Sequence, residues 1–217
     1  EASLLALDRF PGSDVREQGT RAAFGIGYTR IDPAGWSAGV TAGLVLRTED
    51  LGQFTPGSGL DGRTSDWLVA THLEFDDTLR IRNRALFDDN LDVTSNELAV
   101  NWNAANANLS TRYTWLESDP DEGRPEDTGE LLVNAGYRFD SDWTAGVNWR
   151  YDFADTEPRR AGLSLGFENE CVDMEFTVSR RYTRNDTLEA TTEFGFTVGL
   201  NGIGGREGRS RARACRN

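Results

Sequence analysis

In "WSAGVTAGLVL", residues 36–46, apolar side chains fall on every second position. Trp36, Ala38, Val40, Ala42, Leu44 and Leu46 share one face, and Ser37, Gly39, Thr41 and Gly43 share the other. The same alternation runs through "RAAFGIGYT" (21–29), "LRIRNRALF" (79–87) and "WTAGVNWRYDF" (143–153), and through "AGLSLGF", "VDMEFTV" and "EFGFTVGL" further on. A period of two marks a sheet with one apolar and one polar face. No segment carries a helical period. The pattern predicts about twelve strands, beginning with the short "SLLAL" at residues 3–7. Most are near the roughly 9–11 residues that cross a bilayer as a tilted strand, longer than the ~5–6 of typical globular strands.

The connections alternate long with short. "TEDLGQFTPGSGLDGRTSD", "DDNLDVTS", "ESDPDEGRPEDTGE", "ADTEPRR" and "TRNDTLEA" take turns with "DPAG", "DDT", "NAANA", "DSD" and "ENEC". An up-and-down membrane barrel keeps that parity, with long extracellular loops and short periplasmic turns. A Greek-key sandwich has no reason to. Arg80, Arg82 and Arg84 line the polar face of one strand. That is costly in a dry core and tolerable in a watery lumen. Trp36, Phe75, Phe139, Trp143 and Phe167 gather where strands meet short turns, as an interfacial girdle does. The fold expected is all-β: an up-and-down antiparallel transmembrane β-barrel segment of about twelve strands over residues 1–204, with a basic, disordered periplasmic tail over 205–217.

Composition adjusts this picture only at the edges. Acids outnumber bases 36 to 23, a net charge of −13 that argues against nucleic acid as the main partner. Mean hydropathy is −0.56, as expected where half of each strand is polar. No stretch approaches the roughly 20 apolar residues of a transmembrane helix. Without an initiator Met or a signal-peptide pattern, the sequence reads as a processed chain or an excised piece. Cys171 and Cys215 form no metal spacing and no CxxC. Cys171 lies in a short-side turn, hence on the periplasmic rim, where a disulfide is expected.

Two stretches carry a family resemblance. "LLALDRFPGSDVREQGTRAAFGIGYT" has Leu5, Asp8, Arg9, Phe10, Gly12, Asp14, Arg16, Gly19, Thr20 and Arg21 in the spacing of a mid-barrel segment of the LPS-assembly protein LptD family, departing from it at Val15. "LSLGFENECVDMEFTVSRRYTRNDTLEATTEFGFTVGLNGIGG" resembles that family's last three strands, with a cysteine-bearing turn before an amphipathic strand. The resemblance implies an outer-membrane component that inserts lipopolysaccharide into the outer leaflet. It also implies an LptE-type lipoprotein plug and an LptA-type periplasmic bridge reached through an N-terminal jelly roll. On this reading the chain holds about the C-terminal half of the barrel. The family's cysteines at this turn pair with the N-terminal region. The resemblance therefore implies a disulfide from Cys171 to a partner N-terminal to this chain, with Cys215 as the competing partner. The family pattern often has two adjacent cysteines; here "EC" leaves one.

Other candidates are weaker. His72, the only histidine, falls on the polar face with Glu74, and no nucleophile or orienting acid accompanies it. It reads as a lumen-lining residue, and no enzymatic activity is expected. The acids of 117–130 and of "DDNLD" (88–92) lack the ligand rhythm of an EF-hand loop, so no metal and no cofactor is expected. The arginines of the tail, Arg206, Arg209, Arg211, Arg213 and Arg216, have a solvated tail as their plain reading. Arg80, Arg82 and Arg84 have two readings: a surface for the anionic groups of lipopolysaccharide, or cross-strand pairs with Glu74 and Glu97. Competing functions are an outer-membrane diffusion porin, an outer-membrane enzyme and a soluble lectin-like sandwich.

Overall fold

The computed structural model describes residues 18–183 and 189–200. They form eleven strands: β1 (Arg21–Asp32), β2 (Trp36–Arg47), β3 (Trp67–Phe75), β4 (Leu79–Phe87), β5 (Val93–Asn103), β6 (Ala107–Leu116), β7 (Thr128–Arg138), β8 (Trp143–Asp152), β9 (Glu157–Glu168), β10 (Val172–Arg181) and β11 (Thr191–Leu200). Single 3-10 turns at Pro56–Ser58 and Pro120–Glu122 interrupt two loops. The strands make one antiparallel sheet in chain order from β1 to β11. It is a meander without crossovers. The sheet is open: β1 and β11 do not pair with one another. The count is eleven rather than about twelve among the described residues, because "SLLAL" lies outside them, as do residues 205–217.

Alternation explains both the strands and the direction each side chain takes. Residues opposed across an antiparallel pair share a face. From β2 to β5 the register opposes Val40 to Thr71, Leu73 to Ile81 and Ile81 to Val100. From β7 to β11 it opposes Ala135 to Val147, Val147 to Leu163, Leu163 to Val178 and Val178 to Phe194. One mostly apolar face thus runs across the sheet, with Thr71, Asn83, Asn96 and Thr111 as polar positions within it.

The turns 33–35, 76–78, 104–106, 139–142 and 169–171 all lie on one rim; 48–66, 88–92, 117–127, 153–156 and the described loop residues 182–183 and 189–190 lie on the other. Asp140 shows how the short rim is built. Its carboxylate accepts the backbone N–H of Asp142 and of Trp143 at 2.9 and 2.8 Å. Those donors hold the Asp140 carboxyl below the usual carboxylate range.

The small buried core sits at the long-loop rim, on the polar side of the sheet. Leu60 of the 48–66 loop packs with Leu68 of β3 and Leu86 of β4, with Phe54 against them. Val45 is fully buried nearby.

Candidate functional site

Much of the apolar face is exposed: Ile26 is 78% exposed, Phe194 72% and Leu163 60%, and no element among the described residues packs over it. A continuous apolar surface of this extent needs apolar surroundings. Asn83 and Asn96 interrupt it, and they bond to each other at 3.2 Å.

Aromatic rings border the face at both rims. At the short-turn rim Tyr137 meets Phe139 and Trp143 meets Phe167, with centroids 5.1 and 4.9 Å apart. At the long-loop rim Phe153 meets Tyr113 and Tyr151 at 5.8 and 5.0 Å, and Trp149 meets Tyr151 at 5.4 Å. This second belt is absent from the sequence reading. Its residues stand at strand ends that become one row only in register. Arginines also edge the face: Arg30 lies over Trp36 and Arg180 over Tyr182, at 5.1 and 5.2 Å. Long side chains of this type keep their charge in water while their stems cover apolar surface.

The polar face is a charge lattice. Arg80 stands directly opposite Glu74, and Arg84 opposite Glu97. Glu74 receives Arg80 at 2.8 Å and Arg82 at 3.4 Å. Glu97, whose side chain is only 8% exposed, is bridged by Arg84 and by Arg112, the latter at 3.2 Å. The run Arg80, Arg82, Arg84 therefore enters ion pairs within the sheet, Arg80 and Arg82 sharing Glu74 and Arg84 sharing Glu97 with Arg112. His72 stands on the same face, opposite Gly39 on β2 and Arg82 on β4. A Cβ on Gly39 would lie 2.3 Å from His72 Cε1, so the imidazole lies across the neighbouring strand where only glycine leaves room.

At the long-loop rim two loops fold together over the polar face. Arg47 donates to the Gly62 carbonyl at 2.9 Å and lies 5.2 Å from the Phe54 ring. The Ser65 hydroxyl accepts the Val45 N–H at 3.0 Å. Thr94 donates its hydroxyl to Asp66 at 2.7 Å. Burial pushes the Asp66 carboxyl up, against the Thr94 bond that pulls it down, and burial raises Asp61 likewise. The two loops meet at Asp119, only 2% exposed, which accepts the Thr55 hydroxyl and the Asp121 N–H and has Arg124 at 3.8 Å. The acidic segment 117–127 is thus not simply a solvated loop. Asp119 is its anchor, and sequence gave no sign of it, because its partner lies 64 residues away.

Cys171 closes the 169–171 turn on the short-turn rim, half-buried. Its N–H and that of Val172 donate to Asn169 Oδ1 at 2.9 and 2.8 Å. No described cysteine is free. Cys215, the tail arginines and the residues from Leu5 to Arg16 that carry the first resemblance lie outside the described residues.

Two comparisons bear on identity. A family model described as "LptD: LPS transport system D" matches residues 1–143. No curated protein matches the chain.

Proposed function

The chain belongs to the LptD family of lipopolysaccharide transport, and from that premise we propose that it forms part of an outer-membrane barrel that inserts lipopolysaccharide into the outer leaflet. The observation that carries this is the two-faced sheet: one exposed apolar face from β1 to β11, backed by a charged one. Trp143 and Tyr151 mark its two aromatic edges on β8. A strand rising about 3.3 Å per residue covers about 26 Å between them, somewhat less when tilted. That fits the roughly 25 Å apolar band of outer-membrane barrels. The polar face then lines a lumen, the long loops face outward, and the 169–171 turn faces the periplasm.

By resemblance to the family, the partners are an LptE-type lipoprotein plug and an LptA-type bridge. Cys171 sits on the rim from which a disulfide could tie the barrel to a periplasmic domain, through a cysteine N-terminal to Glu1 or through Cys215. A diffusion channel is the second reading. It is favoured by the 48–66 loop, which packs on the polar side as a constriction would.

Depletion separates the two. On loss of the protein, newly made lipopolysaccharide at the cell surface, read by its access to an external modifying reagent, should fall, while uptake of small solutes should not. Reduced solute uptake with unchanged surface lipopolysaccharide would establish the channel instead. Mass mapping of non-reduced peptides identifies the partner of Cys171, and a fully alkylated Cys171 in native membranes would exclude the tether.

A further inference from the structure

On the polar face, towards the long-loop rim, the register sets three arginines in one row. Arg150 of β8 stands directly opposite Arg160 of β9, and Arg160 directly opposite Arg181 of β10. Opposed residues in an antiparallel pair have Cα atoms about 5 Å apart, and like charges so placed destabilise a sheet. Elsewhere on this face the opposed pairs Arg80–Glu74 and Arg84–Glu97 join unlike charges. The arginine row breaks that rule.

Its charges are poorly matched. Arg150 reaches Glu130 at 3.6 Å, both side chains being largely in solvent. Arg160 and Arg181 are exposed and enter no ion pair among the described residues. The nearby acids do not compensate. Asp152 stands one row nearer the rim, where it would offset Arg160. It is instead held by Arg159, through Nε at 3.1 Å and Nη2 at 2.9 Å. Arg159 is the extra residue of a bulge, where the register shifts between Arg150 and Tyr151. The bulge re-aims one arginine at the acid and leaves the row uncompensated. Glu157, opposite Asp152, and Glu193, opposite Ser179, join no ion pair among the described residues.

The next row inward is low and polar: Asn148, Gly162 and Ser179. Asn148 lies so flat over Gly162 that a Cβ there would fall 2.5 Å from its Nδ2. Beside the arginine row this leaves short side chains, with an amide and a hydroxyl group.

We propose that Arg150, Arg160 and Arg181 form a cradle for a phosphate-bearing anion on the polar face. Guanidinium groups bind phosphate oxygens through paired, charge-assisted hydrogen bonds, and an anion placed between them would turn mutual repulsion into attraction. The identity of that anion rests on the function proposed above: the phosphate groups of lipopolysaccharide passing along the lumen. The cradle itself rests on register and charge alone.

Calorimetric titration of the purified full chain in nonionic detergent tests both. The probes are inorganic pyrophosphate, a lipid-free phosphorylated lipopolysaccharide core oligosaccharide, and the same oligosaccharide after dephosphorylation. Arg160→Gln/Arg181→Gln should weaken pyrophosphate and the phosphorylated oligosaccharide about tenfold or more. Arg160→Lys/Arg181→Lys, which keeps the charge but not the paired donors, should bind more tightly than the Gln pair and more weakly than the wild type, and the dephosphorylated sugar should not bind. Circular dichroism checks that each variant keeps its sheet. If pyrophosphate shows this pattern and neither oligosaccharide binds, the cradle stands and the lipopolysaccharide assignment falls. If the wild type does not bind pyrophosphate, or the Gln pair binds it equally well, the cradle is overturned and the family reading is untouched.

Discussion

Val147 and Asn134 stand on adjacent strands, one residue apart in register, on opposite faces. Val147 is 45% exposed and flanked by Ala135 and Leu163. Asn134 is flanked by Ser110 and Asn148. If the apolar face meets lipid, Val147→Arg should cost about 2–4 kcal/mol of folding free energy in a bilayer. Asn134→Arg should stay within about 0.5 kcal/mol. Equal losses on reversible unfolding from lipid vesicles would refute the face assignment. Face is the property most legible in sequence at this scale, because a period of two fixes it locally. The company a residue keeps is not. Arg80, Arg82 and Arg84 draw attention by being close in the chain, yet register gives them Glu74 and Glu97 as partners. Arg150, Arg160 and Arg181 are scattered in the chain, and only register sets them in one row.

Elements follow the sequence in number and order but not at their ends. β5 begins at Val93, β7 at Thr128 and β9 at Glu157, each inside a segment whose polarity reads as loop. Backbone pairing does not require apolar side chains, so hairpins continue past the apolar band into the polar rim. The loops themselves were the least legible part, since their contacts are non-local. Asp119→Ala should detach the 48–66 loop from 117–127. It removes a buried acceptor of the Thr55 hydroxyl and the Asp121 N–H, at about 1–3 kcal/mol. Amide exchange over 55–60 should quicken about tenfold or more, with the sheet unchanged; unchanged exchange there would show that the loops stand independently. Acidification should move one segment in one direction and two others in the opposite direction. Asp61 and Asp66 have folded pKa values raised by burial. Their stabilisation is complete below the usual carboxylate value and is lost as pH rises through the raised one. Asp88 and Asp140 have values lowered by backbone N–H donors. Their stabilisation is present above the usual value and is lost as pH falls through the lowered one. From about pH 5 to about pH 3, exchange corrected for its intrinsic pH dependence should slow over 59–66 and quicken over 88–92 and 139–142. A common direction in all three would contradict these assignments.

Among the described residues the sheet ends in two edges, β1 and β11, and that sets the molecule's largest physical problem. On its outer side each edge strand has no strand partner among the described residues for its backbone N–H and C=O groups. In a bilayer each such group costs several kcal/mol, so only a closed barrel is stable there. Direction decides how closure can occur. Eleven strands in antiparallel order leave β1 and β11 running the same way. Joining them would make a parallel seam, whereas single-chain bacterial barrels have even strand numbers and antiparallel pairing throughout. The sheet is therefore expected to be closed by further strands and not by its own two edges. Cysteines placed singly along the polar face of β1, at Gly25, Gly27 or Thr29, and of β11, at Gly195 or Thr197, report on this in a background with Cys171 and Cys215 changed to serine. Disulfides need Cα atoms within about 7 Å. In membranes no β1–β11 combination should cross-link under mild oxidation, while the control pair Thr177→Cys/Gly195→Cys, opposed in the β10–β11 register, should do so readily. Efficient cross-linking of any β1–β11 pair would mean that the eleven strands close on themselves, and the lumen would then be too narrow for a passing glycolipid headgroup.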